Sequence, residues 1–208
     1  AFNHQSMSFR SDTQLKLDIQ PDYGAIFRKN VNLVLEGASE NPMGKARVIL
    51  QDARELSKLA MEPFDLVVTA PPYANRMSYI RALRPYMYWL RFLTNARDAG
   101  ELDWLAIGGT WGIATSRLNY WKPDEQNCDC QELEAALTRI ASPGNANGTL
   151  LATYIRKYCV DMAKHFKELR SILAPRAQIH YIVGNSSFYG QLVPIERVCA
   201  HIMAELGF

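Results

Sequence analysis

Four cysteines, Cys128, Cys130, Cys159 and Cys199, are all that the 208 residues contain. The one close pair is Cys-Asp-Cys, which lacks the spacing of a zinc knuckle or a thioredoxin-like site. Free thiols in a reducing compartment are therefore expected. His165, His180 and His201 are scattered without metal-ligand spacing, so no metal centre is expected. Long apolar runs are missing too. No segment approaches the roughly 20 consecutive apolar residues that span a bilayer, and the N-terminus lacks a basic-then-apolar secretory pattern. A cytoplasmic location is the expectation. The absence of a phosphate-binding Gly-Lys-Ser/Thr loop, a nucleophile elbow and a metal-ligand cluster disfavours a nucleotide hydrolase, a protease or a zinc enzyme. Excess charge is lacking as well: 23 Lys and Arg stand against 21 Asp and Glu, a net +2. Any nucleic acid must be held by locally placed cations, not by bulk charge.

What is present is a 48% hydrophobic chain, enough for one compact domain with a sizeable core. There is no internal repeat or low-complexity tract. Residues 1–21 read as a polar arm, and a helix is expected from Tyr23 to Glu36, broken by the Gly, Ser, Asn and Pro of 37–45. Then the units alternate. Ala46–Leu50 reads as a strand, Ala53–Ala60 as a helix and Phe64–Val68 as a second strand, an order that argues for a parallel α/β sheet. From Met77 to Ala96, Tyr79, Leu83, Tyr86, Leu90 and Leu93 step by four and three like the inward stripe of a helix, with a break or kink expected at Pro85. The stretch 98–127 lacks periodicity and reads as an excursion from the sheet core. A helix over Cys130–Ile140, a turn-rich loop over 142–148 and a long helix marked by Leu151, Tyr154, Ile155, Tyr158, Met162, Phe166, Leu169 and Leu173 follow, the last stopped by Ala174-Pro175. Gln178–Val183 reads as a strand, 184–187 as a loop and Pro194–Leu206 as a helix.

The most informative segment is Asp65-Leu-Val-Val-Thr-Ala-Pro-Pro-Tyr73, where a buried strand runs into two prolines and an aromatic ring. Two prolines fix two φ angles and remove two amide donors, so the carbonyls around them cannot join a ladder and point into a crevice. In an open parallel sheet the carboxyl end of a strand is where ligands bind. A rigid loop with exposed acceptors and a flat ring suits an aromatic amine.

These residues resemble the amino-methyltransferases of DNA that make N4-methylcytosine or N6-methyladenine. The signature of that family is Asp, Asn or Ser followed by Pro-Pro and an aromatic, and Thr69-Ala70-Pro71-Pro72-Tyr73 is closest to its Thr-Ser-Pro-Pro-Tyr form. Asn75-Arg76-Met-Ser-Tyr79 with Arg81 and Arg84-Pro85 is similar to one subgroup, as are Ile182-Val-Gly-Asn-Ser-Ser187, Val193-Pro194 and Gly207-Phe208. The resemblance covers residues 46–208, which it makes a catalytic domain following an arm and helix at 1–45, with an insertion at about 98–148 that contacts the target. It implies a Rossmann-like S-adenosylmethionine-dependent methyltransferase fold, a mostly parallel sheet flanked by helices and incomplete at its N-terminus. It also implies a role in a DNA modification or defence system.

By that resemblance Ala70, Pro71, Pro72 and Tyr73 form the catalytic loop. Tyr73 stacks on a base rotated out of the duplex, and the Pro71 carbonyl, with position 70, accepts from the amine. Position 70 is Ala where the family carries a side-chain acceptor, so reduced or lost activity is implied. The glycine loop through which the family approaches its cofactor does not occur in these residues. Gly108-Gly-Thr-Trp-Gly112 has no strand-to-helix context, so another segment or chain is implied as the source of such a loop.

Asp52, with Ala53 and Thr69, stands where the family contacts the cofactor, S-adenosylmethionine. Asp52 reads either as an acceptor for the adenine amine or as a helix N-cap completed by Glu55. Asn75, Arg76, Tyr79, Arg81 and Arg84 are candidate DNA contacts, with Tyr88 and Arg91 on the same side. Phosphate contact and solvated helix surface are both open for the arginines. Arg156, Lys157, Lys164, Lys167 and Arg170 read as a solvated basic face. Trp104, Trp111, Tyr120 and Trp121 are open between target recognition and ordinary core, and Asn185 and Ser186 between lining the crevice and forming a turn. An RNA base methyltransferase and a noncatalytic DNA-binding or assembly subunit stand as alternatives.

Overall fold

The computed structural model describes residues 22–40, 43–59, 61–110, 112–123 and 130–208. The chain divides into two compact units, residues 1–49 and 50–208. In the first, helix α1 (Tyr23–Ser39) starts at Asp22, whose carboxylate accepts from the Ala25 amide at 2.9 Å. This is the usual way an N-cap satisfies an orphan donor. None of its residues is buried.

The second unit mixes helix and strand around a small parallel sheet. Strand β1 (Phe64–Thr69) pairs in parallel with β2 (Leu173–Tyr181), matching Val67 to Ile179, Val68 to His180 and Thr69 to Tyr181. Between them run α2 (Tyr79–Trp89), α3 (Ala96–Leu105), α4 (Ile113–Leu118), α5 (Gln131–Ile140) and α6 (Gly148–Ser171). A hairpin of β3 (Ser186–Phe188) and β4 (Gln191–Val193) and helix α7 (Ile195–Glu205) complete the chain.

The core lies among α5, α6 and α7. Leu133, Ala136, Leu137 and Ile140 recur at three and four residues along α5 and meet Leu151, Tyr154, Ile155, Tyr158, Met162 and Phe166 of α6. Each large side chain removed from water here contributes about 1.5–3 kcal/mol. Val198, Cys199 and Ile202 close the cluster from α7. Burial raises the Cys199 thiol to about 12, and Cys130, Cys159 and Cys199 are free and buried. Cys128, Trp111 and residues 1–21 lie outside the described residues.

Several expectations need correction. Ala46–Leu50 forms no strand, and Val48 and Leu50 are almost wholly exposed. An apolar run becomes a strand only where a neighbour completes its ladder, and β1 pairs with β2 alone among the described residues. The helix expected over Ala53–Ala60 is a single 3-10 turn, Leu56–Lys58. Pro85 lies inside α2 without ending it. Proline removes only the bond to the carbonyl four residues back, and the next turn closes through Leu90 N–H on Tyr86 at 2.8 Å.

The α2 stripe also faces the other way. Tyr79, Leu83, Tyr86 and Leu90 are exposed, whereas Ile80, Arg81, Arg84 and Met87 are half-buried; Leu93, past the end of the helix, is buried as expected. The rotation is set at the N-cap, where the Ser78 hydroxyl donates to the buried Asp103 of α3 at 2.5 Å and accepts from Arg81 N–H at 3.0 Å. The unperiodic stretch after residue 98 carries α3 and α4. Strand β2 begins earlier than expected and contains Pro175, accommodated where the register with β1 shifts and Arg176 takes φ +65°.

Candidate active site

The parallel pair delivers two loops to one end of the sheet. Beyond Thr69 comes Ala70-Pro71-Pro72-Tyr73, and beyond Tyr181 comes Ile182-Val-Gly-Asn-Ser186. The Ile182 amide donates to the Thr69 carbonyl at 2.9 Å, which closes the ladder at its last pair, Thr69 and Tyr181, and sets the loops side by side. Gly184 faces the Tyr73 ring, Cδ1 lying 4.0 Å from where a Cβ would stand. Ala70 is exposed, Pro71, Pro72 and Tyr73 are half-buried, and Ala74 is wholly buried in the core. The loop is thus anchored just after its aromatic residue, which leaves the ring at the surface of the crevice.

After Tyr73 the backbone turns sharply. The Asn75 amide donates to the Tyr73 carbonyl at 2.8 Å, and the Asn75 side-chain oxygen accepts from Met77 N–H at 3.0 Å. Arg76 takes φ +60°, a left-handed conformation that is uncommon for a residue with a Cβ. Its amide donates to the Tyr154 hydroxyl at 3.1 Å. Of the other candidate DNA contacts, Tyr79 is exposed, while Arg81 and Arg84 are half-buried and turned from the exposed α2 stripe. Arg91 is exposed with φ +62°. Asn185 accepts from the Glu196 amide in the first turn of α7 at 3.3 Å, and the buried Ser186 hydroxyl has no hydrogen-bond partner among the described residues.

The Asp52 turn reaches the sheet through His165, a histidine read from the sequence only for its lack of metal-ligand spacing. His165 of α6 places Nδ1 2.8 Å from the Ala53 carbonyl and Nε2 against the Tyr181 hydroxyl. A carbonyl only accepts, so Nδ1 carries the proton and Nε2 accepts from the tyrosine. Burial lowers the His165 pKa and keeps this neutral form. Because Tyr181 is the ladder partner of Thr69, Ala53, His165, Tyr181 and Thr69 make one connected series. The available signal was His165's position three residues after Met162, on the buried face of α6.

Asp52 is gripped by Arg54, Nε on Oδ1 at 3.0 Å and Nη2 on Oδ2 at 2.8 Å, with the Arg54 amide on Oδ1 at 2.9 Å. The side-chain bond from Arg54 is the chief cause holding the Asp52 carboxyl below its ordinary range. A carboxylate offers about four acceptor positions, and the Arg54 bonds occupy three. The half-exposed Asp52 fits a single further donor such as an adenine amine. A backbone cradle for the rest of S-adenosylmethionine is not found among the described residues. Arg54 also reaches Asp161 at 3.1 Å, which Lys157 holds at 2.5 Å, so Lys157 is buried in an ion pair beneath the Trp104 ring and not on a solvated face. Arg156 is likewise paired, with Glu134 at 2.5 Å.

The Gly108-Gly109 pair lies under this loop. A Cβ on Gly108 would stand 3.6 Å from both the Tyr73 carbonyl oxygen and the Tyr154 hydroxyl, and one on Gly109 would stand 1.6 Å from the Asp103 carbonyl oxygen. Two surface hollows, about 360 Å³ beside Arg139 and Arg197 and about 340 Å³ beside Arg170 and Arg176, include no residue of Thr69–Tyr73.

The fold and this loop define an α/β protein with a rigid proline-aromatic lip at the carboxyl end of a parallel pair. The chain is similar to the type II methyltransferase M.BsoBI of Geobacillus stearothermophilus, with 22% identity over 171 residues, 74% of this chain and 33% of that protein. It thus spans about a third of the length of the curated relative. No family model matches the chain, and no solved structure matches it. No helix among the described residues is long and apolar enough to cross a membrane.

Proposed function

We propose that this chain carries the base-binding part of a methyltransferase that uses S-adenosylmethionine to modify an exocyclic amino group of a DNA base, cytosine N4 or adenine N6. The observation that carries this reading is the rigid Pro71-Pro72-Tyr73 lip, half-exposed at the carboxyl end of β1 beside the Gly184 loop. The similarity to a type II methyltransferase supports the class of reaction. When bound, S-adenosylmethionine supplies an electrophilic methyl group on its sulfonium.

The chain's own share is positional. Tyr73 stacks on a base rotated out of the duplex, for about 1–3 kcal/mol. The Pro71 carbonyl, which has no ladder partner, accepts from the amine and aims its lone pair. Holding the amine in such geometry supplies roughly 7–11 kcal/mol of a typical barrier. Asp52 and Thr69 with Ala53 face the cofactor, and the exposed Asn75, Arg76 and Tyr79 face the DNA beside the flipped base, with the half-buried Arg81 and Arg84 behind them. Another segment or chain brings the glycine loop and strengthens a cofactor site that Asp52, Ala53 and Thr69 already form. The edge of β1, which is unpaired among the described residues, and the exposed Leu66, Val68 and Ile182 support such an addition, because parallel strands are normally covered on both faces.

A noncatalytic DNA-binding subunit is the second reading, favoured by Ala70, whose methyl group offers the amine no acceptor. Calorimetric titration with S-adenosylmethionine, on the native chain and Asp52→Ala, followed by radiolabelled methyl transfer to DNA and RNA oligonucleotides, tests both. Micromolar cofactor binding weakened by Asp52→Ala, with label entering DNA, is the expected result. DNA binding without cofactor binding supports the noncatalytic reading. Label entering only RNA, or binding of neither ligand, overturns the proposal.

A further inference from the structure

We infer that Tyr154 is a positioning residue for the Pro-Pro-Tyr lip: its hydroxyl holds the Arg76 amide and thereby fixes the turn that presents Tyr73. The inference rests on the proposed base-binding role only for its functional consequence; the geometry stands apart from it.

Tyr154 belongs to α6, is 2% exposed and sits 78 positions from Arg76 in sequence. Its ring packs edge-on to Phe188 at 6.3 Å and beside the Gly108 turn. A tyrosine this deep needs a partner for its hydroxyl, and the Arg76 N–H provides one at 3.1 Å. Burial raises the phenol to about 12, so it stays protonated at neutral pH and the neutral oxygen accepts. The partner is an amide whose own conformation is unfavourable. Arg76 at φ +60° persists only where surrounding contacts over-determine it.

The neighbouring contacts point to the same turn. The Asn75 amide closes on the Tyr73 carbonyl, Ala74 is fully buried, and the Ser78–Asp103 bond pins the far end. Gly108, at φ +77°, allows backbone to lie within reach of both the Tyr73 carbonyl and the Tyr154 hydroxyl. A phenylalanine at position 154 would preserve the ring and its packing and remove only the atom that holds Arg76. Tyr73 is two residues before the Asn75 amide, so a loosened turn changes the direction of its ring without changing β1.

Tyr154→Phe in the full chain is compared with the native protein by amide hydrogen exchange resolved to single residues. Loss of one hydrogen bond predicts about tenfold faster exchange at Arg76 and, to a smaller extent, Asn75. Amides of α6 and of the β1–β2 ladder keep their rates. Unchanged exchange at Arg76 overturns the inference, and so does uniform acceleration across the chain, which would make Tyr154 ordinary core. Methyl transfer gives a second readout. A lower kcat with little change in KM for DNA is expected for a misdirected Tyr73, whereas a rise in KM alone overturns the positioning role. Native protein that transfers no methyl group refutes the proposed activity, and the Arg76 exchange rate still decides the role of Tyr154.

Discussion

The carbonyl of Thr69, the last paired residue of β1, accepts at 2.9 Å from the amide of Ile182, one residue past the end of β2. That bond ties the start of the proline lip to the start of the Gly184 loop, so the backbone at position 70 is fixed from one side by the ladder and from the other by Pro71. Only the side chain at position 70 remains to be chosen, and it is exposed.

Ala70→Ser is therefore expected to change chemistry and not folding. The hydroxyl adds an acceptor beside the Pro71 carbonyl, and a single well-placed hydrogen bond to the reacting group is worth on the order of 10² in rate. Methyl transfer to DNA should rise by about that factor, while the denaturation midpoint stays within about 0.5 kcal/mol of the native protein. No gain with Ser, and none with Asp at the same position, would count against an amine bound at this lip.

His165 gives the chain a pH dependence whose sign is fixed by its burial. Burial holds its folded pKa below that of a free imidazole, so the unfolded chain takes up the proton first as pH falls. The stabilisation is fully present above the unfolded value and is lost as pH drops through it toward the folded one. One such proton changes stability by at most about 1.4 kcal/mol per pH unit. Urea midpoints measured from pH 8 to pH 5 should fall in that window, and His165→Gln should flatten the fall. Asp52, the charge that acts on His165, is held below the ordinary carboxylate range by the Arg54 side-chain bond and remains ionised throughout this range. A slope unchanged in His165→Gln would assign the dependence to other groups.

The parts of this fold legible in the sequence were those whose signal is local. Two prolines after an apolar run marked the end of β1, and the three-and-four spacing from Leu151 to Leu169 marked α6 and its buried face. The same spacing in α2 identified a helix but misjudged its outward side, because periodicity shows that a stripe exists and not what lies against it. Val48 and Leu50 read as strand for a related reason: an apolar run does not reveal whether a ladder partner is present. The candidate site was legible in outline where the backbone chemistry is unusual, at the Pro71-Pro72-Tyr73 lip. It was not legible where it depends on distant partners. The Tyr154 hydroxyl finds Arg76 across 78 residues, and His165 joins Ala53, 112 residues before it, to Tyr181.

Gly109 and Gly112 offer a final test of how the lip is supported, since both were visible as glycines and only one is closely packed. At Gly109 an added Cβ would fall 1.6 Å from the Asp103 carbonyl oxygen, an overlap that only a backbone shift can relieve. Asp103 is the buried acceptor for Ser78, which caps α2 just after the lip. A displaced Asp103 would thus disturb both that bond and the turn into α2. Gly112, at φ +60° and ψ −122°, holds a backbone conformation nearly confined to glycine but has open space around it, so alanine there costs the backbone penalty alone, about 1–3 kcal/mol. Gly109→Ala should cost of order 3 kcal/mol or more by chemical denaturation, and its faster amide exchange should extend to Ser78 and Arg81. Equal losses for the two variants would mean that the 106–110 turn can move without disturbing α2.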